Sequence, residues 1–378
     1  MKKLLLLSIL IAVSFPLLSQ NLTVKKAAFH DKTPALRDMQ KIEPGIRDRS
    51  WKDNVIRNEA DPRFENLDRN KSTLPEGPDP VWQKSMGRSP ANTPIQNFEG
   101  TSNVNGVYPP DTDGDVGPDH YYQMINLSFQ IFDKEGNSLY GPADNSTIWD
   151  GFIGPWTGTN DGDPITIYDK EADRWLVSQF AINTSDGSYW ELIAVSATGD
   201  PLGEYYRYAF EFPAFNDYPK LGIWPDAYYA SFNMFGSYNR VSAAAFERDA
   251  ILEGDPDARM VLFDLEEGSE PWSMLPADFD GEMPPEGTPN YFAFVQDDWF
   301  ADQDQVKIWE FEVDWDNVEN STFEEAHVID VSDFDSEICP AYRGRCIHQP
   351  LDAPLLESLA GRLMFRLQYR NFGDYEAM

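Results

Sequence analysis

The sequence predicts an all-β protein, β-propeller-like with incomplete or irregular blades, with a large β-sandwich as the alternative architecture. Three observations carry that expectation. Aromatic residues make up 14% of the chain (11 Trp, 17 Tyr and 24 Phe), alongside 28 Pro and 25 Gly. That mixture suits short strands joined by tight turns and suits helix bundles badly. Short aromatic and β-branched runs bounded by Gly, Pro, Asp and Asn then follow one another from about Phe98 onward. Finally, similar hairpin units recur, each entered through an acidic Gly/Pro segment: Asp115–Tyr122, Asp161–Tyr168 and Asp217–Trp224. Their aromatic anchors Tyr121, Tyr168, Trp224, Phe292 and Phe365 stand about 50 to 70 residues apart, where propeller blades repeat at roughly 40–50 before loop insertions.

The individual elements follow in order. His120–Phe132 reads as one strand, or two with a bend, and Lys134–Asn137 as a hairpin turn. Pro164–Tyr168 and Arg174–Ala181 make a hairpin across the turn Asp169–Asp173. Trp190–Ser196 and Tyr205–Phe212 are two more strands. Leu221–Trp224 and Ala227–Asn233 pair across Pro225–Asp226. Val241–Phe246 is a strand, and Glu247–Leu252 is one short helix stopped by Gly254. Met260–Leu265, Tyr291–Gln296, Lys307–Val313 and Leu363–Tyr369 complete the set.

Ahead of these, residues 1–20 have the parts of a secretory signal peptide. Lys2 and Lys3 form the charged start, Leu4–Val13 the apolar stretch, and Pro16 precedes an exit around Ser19 and Gln20. A bilayer-spanning helix needs roughly 20 apolar residues, so this run is too short to anchor the chain. The absence of Cys at the exit argues against a lipoprotein. The expected location is secreted, extracellular or at the cell surface, with the periplasm as the alternative. Residues 21–97 lack sustained periodicity and are expected to be a polar leader or linker, partly disordered. Residues 98–378 are expected to be the propeller-like domain.

The formal net charge is −34, from 30 basic and 64 acidic residues. Such a surface repels phosphate backbones, so nucleic acid is not an expected partner. In an oxidising compartment, Cys339 and Cys346 are expected to form one disulfide around a small loop that holds Arg343 and Arg345. The histidines His30, His120, His327 and His348 form no HExxH pair. No GxSxG elbow, P-loop or dinucleotide glycine motif is present either.

Several segments resemble a widespread family of secreted bacterial β-propeller-like proteins of undefined activity. They are PPDTDGDVGPDHY at Pro109–Tyr121, NDGDPITIYD at Asn160–Asp169, DRWLVSQF at Asp173–Phe180 and NDYPKLGIWPD at Asn216–Asp226. Ala245–Arg248, Arg345–Gln349 and Arg362–Gly373 continue the likeness, which spans residues 75–378 in matching order. The resemblance implies a chain that continues past Met378 into further blades and appended domains, so this one looks C-terminally truncated. It implies no catalytic residues.

Two acidic groups stand out. Asp111, Asp113, Asp115 and Asp119 alternate along a Gly-containing segment, the hard oxygen donors that Ca²⁺ takes. An EF-hand is excluded, because Val116 stands at the sixth position and Tyr122 at the twelfth. The competing reading is an Asp/Gly turn whose carboxylates cap backbone N–H groups. Asp161, Asp163, Asp217 and Asp226, beside Trp175 or Trp224, are expected to gather at one end of a central channel as an acidic mouth. Paired carboxylates there are the machinery of glycosidases. Thr184–Trp190 comes close to a sialidase-type Asp box but is one residue short between Asp186 and Gly187. The primary functional expectation is a non-enzymatic binding module for a carbohydrate, protein or cell surface, stabilised by calcium. The alternative is a glycan-active hydrolase or lyase working through the acidic mouth.

Overall fold

The computed structural model describes residues 21–52, 94–237, 239–265, 272–298, 303–334, 336, 345–347, 355–357 and 361–378. The signal-peptide segment and the Cys339–Cys346 pairing lie outside the described residues. No described helix is long and apolar enough to cross a membrane.

The protein is nearly all β and propeller-like, as the sequence predicts. Its first blade is β3 (Asp113–Val116), β4 (His120–Ile125), β5 (Ser128–Asp133) and β6 (Ser138–Asp144), after β1 (Asn21–Lys26) and β2 (Phe29–Lys32). The second is β7 (Gly162–Asp169), β8 (Arg174–Asn183), β9 (Ser188–Ser196) and β10 (Tyr205–Phe212). The third is β11 (Phe215–Ile223), β12 (Ala227–Phe235), β13 (Arg240–Glu247) and β14 (Arg259–Asp264). The fourth is β15 (Leu275–Phe279), β16 (Asn290–Gln296), β17 (Gln305–Glu312) and β18 (Thr322–Asp330). A small hairpin, β19 (Arg345–Ile347) with β20 (Leu356–Glu357), precedes β21 (Leu367–Asn371) and β22 (Glu376–Ala377). Within each blade the strands run antiparallel in chain order, and the first strands β3, β7, β11 and β15 are successive neighbours. β21 pairs in parallel with β15 (Ala277↔Leu367), so it stands as a fifth inner strand.

The segment expected to be a leader contributes more than polar tether. β1 pairs with β14 along Asn21↔Asp264 to Lys26↔Arg259, and β2 pairs with β10. Both extend outer edges that would otherwise leave unpaired N–H and C=O groups. Strands of six and four residues that pair so far away in sequence carry no period of their own to read.

Apolar faces of neighbouring blades make the core. Tyr122, Phe129, Ile131 and Trp175 pack between the first and second blades. Ile167, Leu176, Tyr228, Phe246, Phe292 and Phe311 fill a larger cluster across the second, third and fourth. Polar clasps join the same blades. The Asp113 and Asp115 carboxylates accept the N–H groups of Thr166 (2.8 Å) and Tyr168 (2.9 Å). Asn216 donates to buried Glu191 at 2.9 Å, and Asp278 accepts the Ile223 N–H at 2.9 Å. Arg366, next to β21, bridges Asp115 (2.9 Å) on the first blade and Asp278 (3.1 Å) on the fourth.

Gly222 shows how closely the inner strands approach. A Cβ there would collide with the Ala277 carbonyl, a backbone atom that cannot swing aside. Gly222→Ala is therefore expected to destabilise the fold by about 1–3 kcal/mol, the usual range for overpacking. A urea midpoint equal to that of the parent chain would refute this packing.

The short helix expected at Glu247–Leu252 is α1 (Arg248–Glu253), closed by Gly254 at φ 75°. Its Arg248 reaches into the barrel wall, where Nε and Nη2 bond the buried Asp169 carboxylate at 2.7 and 3.1 Å.

Candidate functional site

A backbone kink recurs where each of the four blades begins its inner strand. Asp111, Asp163, Tyr218 and Ser273 have φ of 40°, 46°, 55° and 56°. Asp111 and Ser273 each sit two residues before the first strand residue, Asp113 and Leu275. Asp163 and Tyr218 each sit two residues before ladder pairing resumes, at Ile165 and Lys220. Positive φ strains any residue with a Cβ, and such strain collects at functional sites where surrounding contacts hold it. Here it brings Asp111, Asp163 and Asp217 from three successive blades to one end of the inner-strand ring.

Asn126, fully buried, grips two of them. Its Nδ2 donates to Asp111 Oδ2 and to the Pro109 carbonyl (3.2 Å), while its Oδ1 accepts the Asp163 N–H at 2.8 Å. The Asp111 and Asp163 carboxyls share a hydrogen bond. Burial, then the Asp163 charge, pushes Asp111 up to about 7. Burial and the same charge push Asp217 up to about 7, with Lys52 pulling the other way. Two carboxyls that hold protons into the neutral range are the acid–base pattern. Behind them lies Glu191, fully buried, its carboxyl driven well above the ordinary range by burial. Arg49 and Lys52 reach the same place from the N-terminal segment, and Arg49 Nη2 donates to the Asp161 carbonyl at 2.9 Å.

Raised carboxyl pKa values set a pH dependence. Asp111 and Asp217 prefer their protonated forms in the fold, so their stabilising contribution is complete below about 4 and lost as pH rises through about 7. The thermal midpoint is accordingly expected to fall between about pH 5 and pH 8, and the fall to shrink in Asp217→Asn. Equal slopes for the two proteins would contradict the assignment.

The sequence-predicted residues divide sharply. Asp163 and Asp217 meet at the mouth. Asp161 is adjacent but turned into the blade: its carboxylate accepts the Ile182 N–H at 2.8 Å, and burial raises it to about 6. Asp226 lies past the other end of β11 from Asp217, on the order of 25 Å away by strand rise, where it accepts the Tyr229 hydroxyl at 3.1 Å. Trp224 is at that same far end, 1% exposed, with Nε1 donating to the Thr288 carbonyl at 3.0 Å. Trp175 is wholly buried and donates to the Gly199 carbonyl. Both indoles are core anchors between blades, so the expected aromatic flank of the mouth is corrected.

The proposed calcium loop is also rearranged. Asp111–Asp119 spans an inner strand rather than a turn. Asp111 points to the mouth, Asp113 and Asp115 clasp β7, and Asp119 is exposed at the far end. Extended backbone cannot bring these four carboxylates around one ion. Among the described residues, Asp297, Asp298 and Asp304 do have carboxylate oxygens within 4.8 Å of one another. Two of these residues are already engaged, Asp297 with the Ser336 N–H and Asp304 with the Asp298 and Phe334 N–H groups.

No known family model matches the chain, and no curated protein matches it. Among solved structures it is similar to a Bifidobacterium bifidum s17 protein assigned as an exo-beta-1,3-galactanase. The identity is 10% and the TM-score 0.26, over 59% of this chain and 88% of that one. A likeness this loose carries no argument about fold or function.

The residues that sequence reasoning missed are Asn126, Arg49 and Lys52 at the mouth and Arg366 in the ring. Arg49 and Lys52 fall in the supposed leader, where nothing local marks a site. Asn126 sits in a two-residue turn, an ordinary place for Asn. Only the blade geometry gives these side chains a shared destination.

Proposed function

We propose that this protein is exported and acts on neutral glycans, with the Asp111–Asp163–Asp217 mouth supplying acid–base chemistry. The convergence of three carboxyls from three successive blades, on strained backbone, carries the reading. Asp217 would donate a proton to the departing glycosidic oxygen, and the hydrogen-bonded Asp111–Asp163 pair would take one from the attacking water. A strongly negative surface repels anionic polymers and tolerates uncharged sugars.

The test is reducing-end release from a panel of neutral α- and β-linked glycans, with binding measured in parallel. Turnover should fall about 10²–10⁴-fold in Asp163→Asn while glycan binding and cooperative unfolding persist. Wild-type protein that binds glycans, never cleaves them and is unaffected by the substitution would establish the second reading, a binding module. Arg49 and Lys52 favour that second reading, since they already balance carboxylate charge at the mouth.

A further inference from the structure

We propose that the mouth is a receptor for a basic, aromatic-anchored peptide segment, and that residues 49–52 fill it in cis. The inference goes beyond glycan chemistry and holds whichever reading of that chemistry survives.

The occupant is well defined. The segment Arg49-Ser50-Trp51-Lys52 arrives fastened upstream. Asp144 N–H bonds the Ile42 carbonyl (2.9 Å), Asn105 donates to the Gly45 carbonyl (2.7 Å), and Arg47 pairs with Asp144 at 3.1 Å. Trp51, 7% exposed, then wedges between Phe180 and Phe215 with ring centroids 5.8 and 5.6 Å away. That wedge places Arg49 and Lys52 among the mouth carboxylates. Arg49 is attracted by Asp163, Asp111, Asp161 and Asp217, and Lys52 by Asp163, Asp217 and Asp111. Gly162 gives the guanidinium room, because a Cβ there would stand 2.9 Å from Arg49 Nη2.

The receptor also has unmet demand for donors. Glu191 Oε1 and Asn216 Oδ1 have no hydrogen-bond partner, although both residues are fully buried beside Asp217 and Asp163. Buried acceptors without donors favour a donor-rich ligand. The occupant is equally imperfect: Arg49 Nε and Trp51 Nε1 are buried without partners. A segment that leaves donors unmade beside acceptors unmade fits as a displaceable occupant, and a free segment of the same chemistry should compete for its place.

The experiment uses the full chain and a fluorescent synthetic peptide with the sequence of residues 45–52, read by anisotropy at low salt. The Arg49→Ala/Lys52→Ala protein should bind the peptide at least tenfold more tightly than wild type. Adding Asp217→Asn to that variant should remove the gain. Equal binding by wild type and variant, or a gain indifferent to Asp217→Asn, would overturn the proposal. In wild-type protein the same peptide in excess should raise acylation of Lys52 severalfold over that of exposed Lys26, and an unchanged ratio would also overturn it. Neither readout involves glycan turnover, so this proposal and the glycan reading can fail separately.

Discussion

Asp217→Asn is expected to lower glycan turnover by at least about 100-fold and, at pH 8, to raise the thermal midpoint. The two effects have one origin. Asp217 is held among Asp163 and Asp111 with its carboxyl raised to about 7, so ionising it above that pH works against the fold. Each unit of upward displacement corresponds to about 1.4 kcal/mol withdrawn from stability once the group is ionised. Asparagine keeps the shape and an acceptor for the Tyr218 N–H, but it carries no charge and gives no proton. Losing the proton donor removes the contribution of general acid catalysis, while losing the repulsion stabilises the chain. Calorimetry and reducing-end assays on the same preparation check both. A variant that loses stability along with turnover would mean the carboxylate is a structural clasp like Asp113.

Arg366→Ala is expected to be the most damaging single change outside the apolar core. Its guanidinium is the described link from the fifth inner strand to both Asp115 and Asp278. Its removal leaves Asp115, already holding the Tyr168 N–H, and Asp278, only 6% exposed, without their cation. Breaking a buried pair on one side costs about 3–5 kcal/mol, because the remaining charge stays desolvated. The guanidinium chloride midpoint should drop accordingly. Asp115→Asn/Arg366→Met should recover part of the loss, since it removes charge from both sides. A single variant as stable as the parent would show that β21 is held by strand pairing alone.

The strands legible in the sequence are those with two buried faces or clean alternation. Tyr205–Phe212 and Ala227–Asn233 need no context, because their aromatic and β-branched runs are themselves the signal. β3 was read as a metal-binding turn because Asp-Gly-Asp has poor strand propensity. It forms a strand because β7 supplies N–H donors to Asp113 and Asp115, a partner fifty residues away that local sequence does not reveal. β15, with Pro276 inside it, is masked in the same way.

The mouth was half legible. Asp163 and Asp217 were singled out from recurring acidic entries to hairpins, and those entries do reach one end of the ring. Asp226 shares the composition but sits beyond the strand's exit, and a strand's two ends look alike in sequence. Asp111 was grouped with its neighbours for calcium, whereas the kink at φ 40° directs it to Asp163. Arg49 and Lys52 depend on the path of a segment whose only local anchor is Trp51.

The most direct test of the coupled mouth needs no substrate. Infrared difference spectra between about pH 8 and pH 5.5 report carboxyls that gain a proton in that interval. The wild-type chain should show protonation centred near pH 7 that is lost or displaced in Asp217→Asn and in Asp111→Asn, since burial and Asp163 act on both groups. A wild-type spectrum with no carboxyl titrating near pH 7, or one unchanged by either substitution, would contradict the mouth as an acid–base unit.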